Sequence, residues 1–126
     1  MTKKVLLIED SPTDAQIVKD LLSRKDIEIS IAGTGGEGLK AALELKPDLI
    51  LLDIMLPDMN GFDVCSRIRQ MDKIKNTIVV ILSIKNNPSD ITKAFHAGAD
   101  DYVVKPAEPE FLVKKLLLYM GMRQIN

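Results

Sequence analysis

Leu49-Ile50-Leu51-Leu52-Asp53-Ile54-Met55-Leu56-Pro57-Asp58-Met59-Asn60-Gly61 decides the fold of this chain. Four consecutive apolar residues without polar alternation are the pattern of a strand buried on both faces, as in a parallel sheet. The run stops at a carboxylate, and Pro57, Asn60 and Gly61 mark a loop after it. Working outward in both directions, the pattern recurs. Val5-Leu6-Leu7-Ile8 stops at Glu9-Asp10, Ile78-Val79-Val80-Ile81-Leu82 at Ser83, and Val103-Val104 at Lys105-Pro106. Only Ile27-Glu28-Ile29-Ser30-Ile31 alternates with period two, as a strand exposed on one face does, and it is expected at an edge.

Segments of helical periodicity separate these runs. Ser11-Pro12 offers an N-cap and a proline at the first helical position. Ala15, Val18, Leu21 and Leu22 then mark one apolar face, ending near Ser23. Ala32-Gly33-Thr34-Gly35-Gly36 reads as a flexible turn before a second helix carried by Leu39, Ala42 and Leu43. Lys46-Pro47 ends that helix, because the residue before proline is pushed out of the helical region. Val64, Ile68 and Met71 define a third helix. After Asn86-Asn87-Pro88-Ser89 a short fourth helix is expected, with Ile91, Ala94 and Phe95 inward and Gly98 as its C-cap. A fifth runs from about Pro109 to Met120, its inner face formed by Leu112, Leu116 and Tyr119. Leu117 falls off that face in this reading, and Phe111 and Leu118 lie beside the outward Lys114 and Lys115.

Strands alternating with helices imply parallel pairing and right-handed crossovers. The predicted fold is a single doubly wound α/β domain of five parallel strands and five helices, spanning residues 1–126. The length suits one compact domain, and 46% apolar residues suffice for its core. A net charge of -1, with scattered lysines, argues against direct nucleic-acid binding. A single cysteine, Cys65, forms no internal disulfide, which suits a reducing compartment. No apolar stretch reaches the roughly 18 residues of a membrane span, and the run after Met1-Thr2-Lys3-Lys4 is too short for a signal peptide. The expectation is a cytoplasmic domain.

In an open parallel sheet, ligands bind beyond the carboxyl ends of the strands. Glu9, Asp10, Asp53, Ser83 and Lys105 therefore converge at one edge. Any one of them alone reads as a helix cap or a solvated loop residue. Together, at four strand ends, they make a set suited to phosphoryl chemistry. A carboxylate such as Asp53 is a known nucleophile toward phosphorus, forming an acyl phosphate. It needs charge neutralisation, which a hard cation on oxygen ligands provides, and Mg²⁺ suits a few carboxylates, waters and a phosphate. Lys105 can pair with phosphoryl oxygens as a point charge, and Ser83 can donate a hydrogen bond to another.

These residues carry a resemblance. Glu9-Asp10-Ser11-Pro12, Asp53-Ile54-Met55-Leu56-Pro57 with Gly61, Ser83, and Ala97-Gly98-Ala99-Asp100-Asp101-Tyr102 leading to Lys105-Pro106 resemble the receiver domain of two-component response regulators over essentially the whole chain. The resemblance implies a flavodoxin-like sheet in the order 2-1-3-4-5. It implies that Asp53 accepts a phosphoryl group from a sensor histidine kinase or histidine phosphotransfer protein. Glu9, Asp10 and Asp53, with the backbone carbonyl of Met55, would hold Mg²⁺. Ser83 and Tyr102 would form a switch pair, the tyrosine ring rotating inward on phosphorylation, and the Lys105-Pro106 bond would be cis. The output would be altered affinity for a downstream protein target or output domain, through the fourth helix, fifth strand and fifth helix.

Two positions depart from that pattern. Ile84 follows the switch hydroxyl where alanine or glycine is usual, so slow transfer or a shielded, long-lived phosphoryl group is expected. Ala107 follows Lys105-Pro106 where a larger apolar residue is common, which predicts looser packing at the start of the fifth helix. The apolar outer residues of that helix predict docking or homodimer formation. His96 reads as a solvated helix residue, Cys65 as a core or boundary residue, and Gly33, Gly35 and Gly36 as a plain turn.

The chain is expected to be no turnover enzyme, catalysing only its own phosphoryl transfer and dephosphorylation. A phosphatase of the haloacid-dehalogenase type places a second aspartate two residues after the nucleophile, where Met55 stands here. A flavodoxin-like mononucleotide binder would find Glu9-Asp10 repulsive toward its phosphate. The remaining alternative is a receiver-fold scaffold that binds partners without phosphorylation. The chain ends just after the fifth helix, as either a stand-alone regulator or a receiver cut from a longer one would.

Overall fold

The computed structural model describes residues 2–123. Five strands, β1 (Lys3–Ile8), β2 (Ile27–Ala32), β3 (Leu49–Leu52), β4 (Ile78–Ser83) and β5 (Asp101–Val104), alternate with five helices. The helices are α1 (Pro12–Leu21), α2 (Gly35–Leu45), α3 (Gly61–Gln70), α4 (Pro88–His96) and α5 (Pro109–Tyr119). The strands pair in parallel in the order β2-β1-β3-β4-β5, as the resemblance implies, with the alternating strand at an edge.

The continuous apolar runs have a direct physical reason, since each central strand feeds two cores. Leu6, Ile8, Ile50, Leu52, Val79 and Ile81 pack beneath α2, α3 and α4. Val5, Leu7, Leu49, Leu51, Val80 and Leu82 face α1 and α5 on the other side. Alternate residues point to opposite faces, so a strand covered on both faces has no polar position left. Burying each such Leu, Ile or Val side chain stabilises the fold by roughly 1.5–3 kcal/mol before the entropy of ordering it is counted.

Short caps hold every helix start near the carboxyl edge of the sheet. Ser11, Thr34, Asn60, Asn87 and Glu108 each accept a backbone N–H of the first turn that follows. Prolines at 12, 88 and 109 occupy positions that need no donor. Lys46 closes α2 in the left-handed region at φ 47°.

The structure corrects five expectations. Leu43 is exposed, so Leu39 and Ala42 carry the apolar buried face of α2 without it. Leu117 is buried beside Leu116 and Leu112, so the inner face of α5 is wider than its helical spacing suggested. Phe95 is 48% exposed and lies outside the core, leaving Ala94 as the buried apolar contact of α4. Gly35 and Gly36 belong to the first turn of α2, because the Asp58 carboxylate accepts both of their N–H groups, at 2.8 and 2.9 Å. The C-cap of α4 is Ala97, and Gly98 is the next residue, at φ 104°.

Candidate functional site

The ladder register sets the site. Ile8 pairs with Leu52 and Leu52 with Ile81, and Ser83 pairs with Val104. The residues after those pairs, Glu9, Asp53 and Lys105, therefore leave the sheet together. The Asp53 N–H still donates to the Ile8 carbonyl at 3.0 Å, and the Lys105 N–H to the Ser83 carbonyl at 2.8 Å. The Lys105-Pro106 bond is cis.

Glu9, Asp10 and Asp53 each offer a carboxylate oxygen within 4.8 Å of the others. Glu9 and Asp53 are buried and Asp10 is exposed. Glu9 Oε2 accepts the Ser11 N–H at 3.1 Å, and Asp53 Oδ1 accepts the Met55 N–H at 3.2 Å. The Lys105 ammonium lies 2.5 Å from Glu9 Oε1, 3.0 Å from Asp14 Oδ2 and 3.3 Å from Asp53 Oδ2. Burial pushes the Glu9 carboxyl above its usual range, opposed by Lys105 and reinforced by the Asp53 charge. Burial would lower the Lys105 value, but Glu9, Asp14 and Asp53 outweigh it and hold the ammonium above the ordinary lysine range. Both groups move upward because one ammonium is shared among three carboxylates, while Glu9 bears its own desolvation.

Ser83 is fully buried, and its Oγ accepts the Lys85 N–H at 3.3 Å. The Tyr102 ring packs against the core beneath α2, α3 and α4. Its hydroxyl donates to the Lys85 carbonyl at 2.7 Å, and the residue is half-buried. Met55 pairs with Asn60 in an isolated antiparallel bridge that closes the loop after β3. Met55, Asp10 and Lys85 share the wall of a cavity of about 570 Å³. Gly61 starts α3 hard against the backbone of Asp53 and Ile54.

Ile84 is 63% exposed and faces a groove of about 300 Å³ between α1 and the start of α5. Lys105, Pro106 and Ala107 line the same groove, so the small Ala107 helps to leave it open. His96 is exposed on α4. Cys65 is fully buried, and desolvation pushes its thiol up to about 11, which keeps it inert.

Asp14 is the one member of this cluster that the sequence reading missed. A signal was present. Asp14 is the third residue after the Ser11 cap, and helical side chains lean toward the N-terminus, here toward the strand ends.

The donor set answers whether a cation fits. Three carboxylates face one another with only oxygen ligands on offer, and one ammonium offsets part of their charge. Hard divalent cations bind such sets, and Mg²⁺ accepts a few carboxylates with water completing its shell.

The response regulator receiver domain matches residues 5–117. The chain belongs to that family. Among its relatives, the receiver is 40% identical over 122 residues to the transcriptional regulatory protein AfsQ1 of Streptomyces coelicolor, covering 95% of this chain and 53% of that protein. It is 37% identical over 116 residues to the DNA-binding response regulator MtrA of Mycolicibacterium smegmatis, covering 92% of this chain and 50% of MtrA. The chain thus spans about half the length of these curated relatives. Among solved structures, the Vibrio cholerae chemotaxis protein CheY4 matches with a TM-score of 0.88 at 30% identity, over 94% of this chain and 99% of CheY4. Among the described residues of the receiver, no helix is long and apolar enough to cross a membrane.

Proposed function

We propose that this receiver is a phosphorylation-activated switch whose acceptor is Asp53. The observation that carries the reading is the meeting of Asp53 with Glu9 and Asp10 within 4.8 Å and with the Lys105 ammonium at 3.3 Å. An Asp53 carboxylate oxygen attacks the phosphorus of a phosphohistidine on a sensor kinase or phosphotransfer protein. The new O–P bond forms as the P–N bond breaks, and the imidazole leaves with the electron pair and takes up a proton.

Glu9, Asp10 and Asp53, with the Met55 backbone carbonyl, would hold Mg²⁺, which supplies charge neutralisation for an anion approaching an anion. Lys105 pairs with the phosphoryl oxygens, and Ser83 donates a hydrogen bond to one of them after leaving the Lys85 N–H. Positioning and electrostatics of this kind dominate phosphoryl transfer. Aspartyl phosphate is the stored signal, so the chain catalyses its own modification and its loss rather than turnover of a free substrate.

Ser83 and Tyr102 relay the modification, because both hold the Lys85 backbone. The responding surface is α4, β5 and α5, where Phe95, Val104, Phe111 and Leu118 are exposed. Its occupant is a downstream protein, an output domain or a second copy through α5. With a net charge of -1 the receiver offers no electrostatic footprint for nucleic acid, so its partner is a protein. A cytoplasmic location follows from the kinase partnership.

Intact mass after incubation with acetyl phosphate, with and without Mg²⁺, tests the reading. One added phosphoryl group that requires Mg²⁺ and is absent in Asp53→Asn supports it. No gain from acetyl phosphate or from a phosphotransfer protein overturns it in favour of a scaffold acting without phosphorylation.

A further inference from the structure

We infer that Asp14 is a positioning residue for Lys105, dividing the ammonium between the cation-binding carboxylates and an arriving phosphoryl group. The inference rests on the phosphoacceptor reading above. An ammonium has three donors, and here three carboxylates take them: Glu9, Asp14 and Asp53. A phosphoryl oxygen can pair with Lys105 only by displacing one of them.

Their burial decides which one yields. The Glu9 and Asp53 side chains are 4% and 10% exposed, against 44% for Asp14. Glu9, Asp10 and Asp53 carry three negative charges against the two positive charges of a divalent cation, so stripping Lys105 from Glu9 or Asp53 leaves buried negative charge even with the cation bound, which is costly. Water can replace Lys105 at Asp14. Asp14 therefore holds one donor of Lys105 ready and releases it to the phosphoryl oxygen.

An acid in the first turn of a helix is favoured by the helix dipole in any case, so its presence alone carries little. Its reach carries the argument. Glu37 stands at the equivalent place in α2, three residues after its cap Thr34, and meets only the Gly33 N–H at 3.4 Å. Asp14 crosses 91 residues of sequence to a lysine that is only 14% exposed. The Ser11 hydroxyl, accepting the Asp14 N–H at 3.2 Å, fixes the turn that aims it.

Two effects of opposite sign follow for Asp14→Asn. One negative charge leaves the cluster and Lys105 settles more fully on Glu9 and Asp53, so Mg²⁺ binding weakens. The same change frees Lys105 from a rival of the phosphoryl group, so aspartyl phosphate lasts longer. Loss of a charge at this range predicts changes on the order of threefold to tenfold in each.

The experiment measures Mg²⁺ affinity by titration calorimetry and phosphoryl lifetime by intact mass after acetyl phosphate is removed. It uses the native chain, Asp14→Asn and Asp14→Glu. Weaker Mg²⁺ binding with a longer lifetime in Asp14→Asn, both restored toward native in Asp14→Glu, is the expected result. A native chain that takes up the label while Asp14→Asn matches it in both readouts overturns the inference alone. A parallel fall in both readouts, or a misfolded Asp14→Asn beside an unrestored Asp14→Glu, reduces Asp14 to a structural acid and overturns it too. A native chain that takes up no label overturns the phosphoacceptor reading itself, and this inference with it.

Discussion

Gly61 lies so close to Asp53 that any side chain at Gly61 would overlap the Asp53 carbonyl oxygen and stand 2.6 Å from the Ile54 Cα. The first turn of α3 is thus seated on the backbone of the proposed acceptor, and the loop between them has no room to relax inward. Gly61→Ala should destabilise the fold by about 1–3 kcal/mol, the usual range for overpacking, and slow labelling by acetyl phosphate. Gly33, which has nothing within 4 Å of its added Cβ, supplies the control. Gly33→Ala should stay within about 0.5 kcal/mol of native. Equal denaturation midpoints for the two variants would show that the contact at Gly61 is not a constraint.

Asp101 holds the Tyr119 hydroxyl at 2.8 Å and the Lys115 ammonium at 2.6 Å, tying β5 to α5. Burial, and then the Asp101 carboxylate, push the Tyr119 phenol up to about 12. Burial also raises Tyr102 above the ordinary value. A raised folded value means that the stabilisation is complete below the unfolded value of 10 and is lost as pH rises through about 12. Tyrosinate absorbance, recorded after rapid pH jumps, should show both of the chain's phenols ionising above 10. In Asp101→Asn the higher transition should move down. Two phenols titrating together near 10 would contradict the geometry.

What was legible in the sequence, and what was not, follows from how far each signal reaches along the chain. Strand ends are local, so Glu9, Asp53, Ser83 and Lys105 could be placed at one edge from their apolar runs alone. Contacts between distant segments are not. Asp58 helps α2 to start two residues early by accepting the Gly35 and Gly36 N–H groups, and no spacing rule connects residues more than 20 apart. Leu117 is buried because α5 sits over a twisted sheet and is covered across a wider arc than a single helical stripe. Phe95 reads as inward by periodicity, yet α4 is short and only Ala94 reaches the core. Asp14 was hidden by its resemblance to an ordinary first-turn acid.

Leu118 is 77% exposed on α5, next to Phe111 and to Lys115, whose ammonium sits 5.1 Å from the Phe111 ring centre. An apolar side chain that covers nothing in its own fold adds little to stability. Leu118→Glu should leave the denaturation midpoint within about 0.5 kcal/mol of native. If this face receives a second copy on phosphorylation, the variant should remain monomeric by light scattering where the phosphorylated native chain dimerises. A native chain that stays monomeric when fully phosphorylated would leave α5 for a different protein.

Among the described residues Lys105 is the single cation paired with the carboxylates of Glu9, Asp14 and Asp53, which makes its removal a test of their mutual repulsion. Lys105→Met keeps the stem and deletes the charge. Breaking a buried pair by removing one partner typically costs about 3–5 kcal/mol, and the half-exposed Asp14 puts this cluster near the lower end. The loss should be measured in the absence of divalent cation. Adding Mg²⁺ should then stabilise Lys105→Met more than the native chain, because the cation no longer competes with an ammonium for Glu9 and Asp53. Binding to the folded state alone raises stability with ligand concentration, so the difference appears as a steeper rise of the denaturation midpoint with Mg²⁺. Equal slopes in the two proteins would mean that Lys105 and the cation do not share these carboxylates, and the site would have to be redrawn around Asp10.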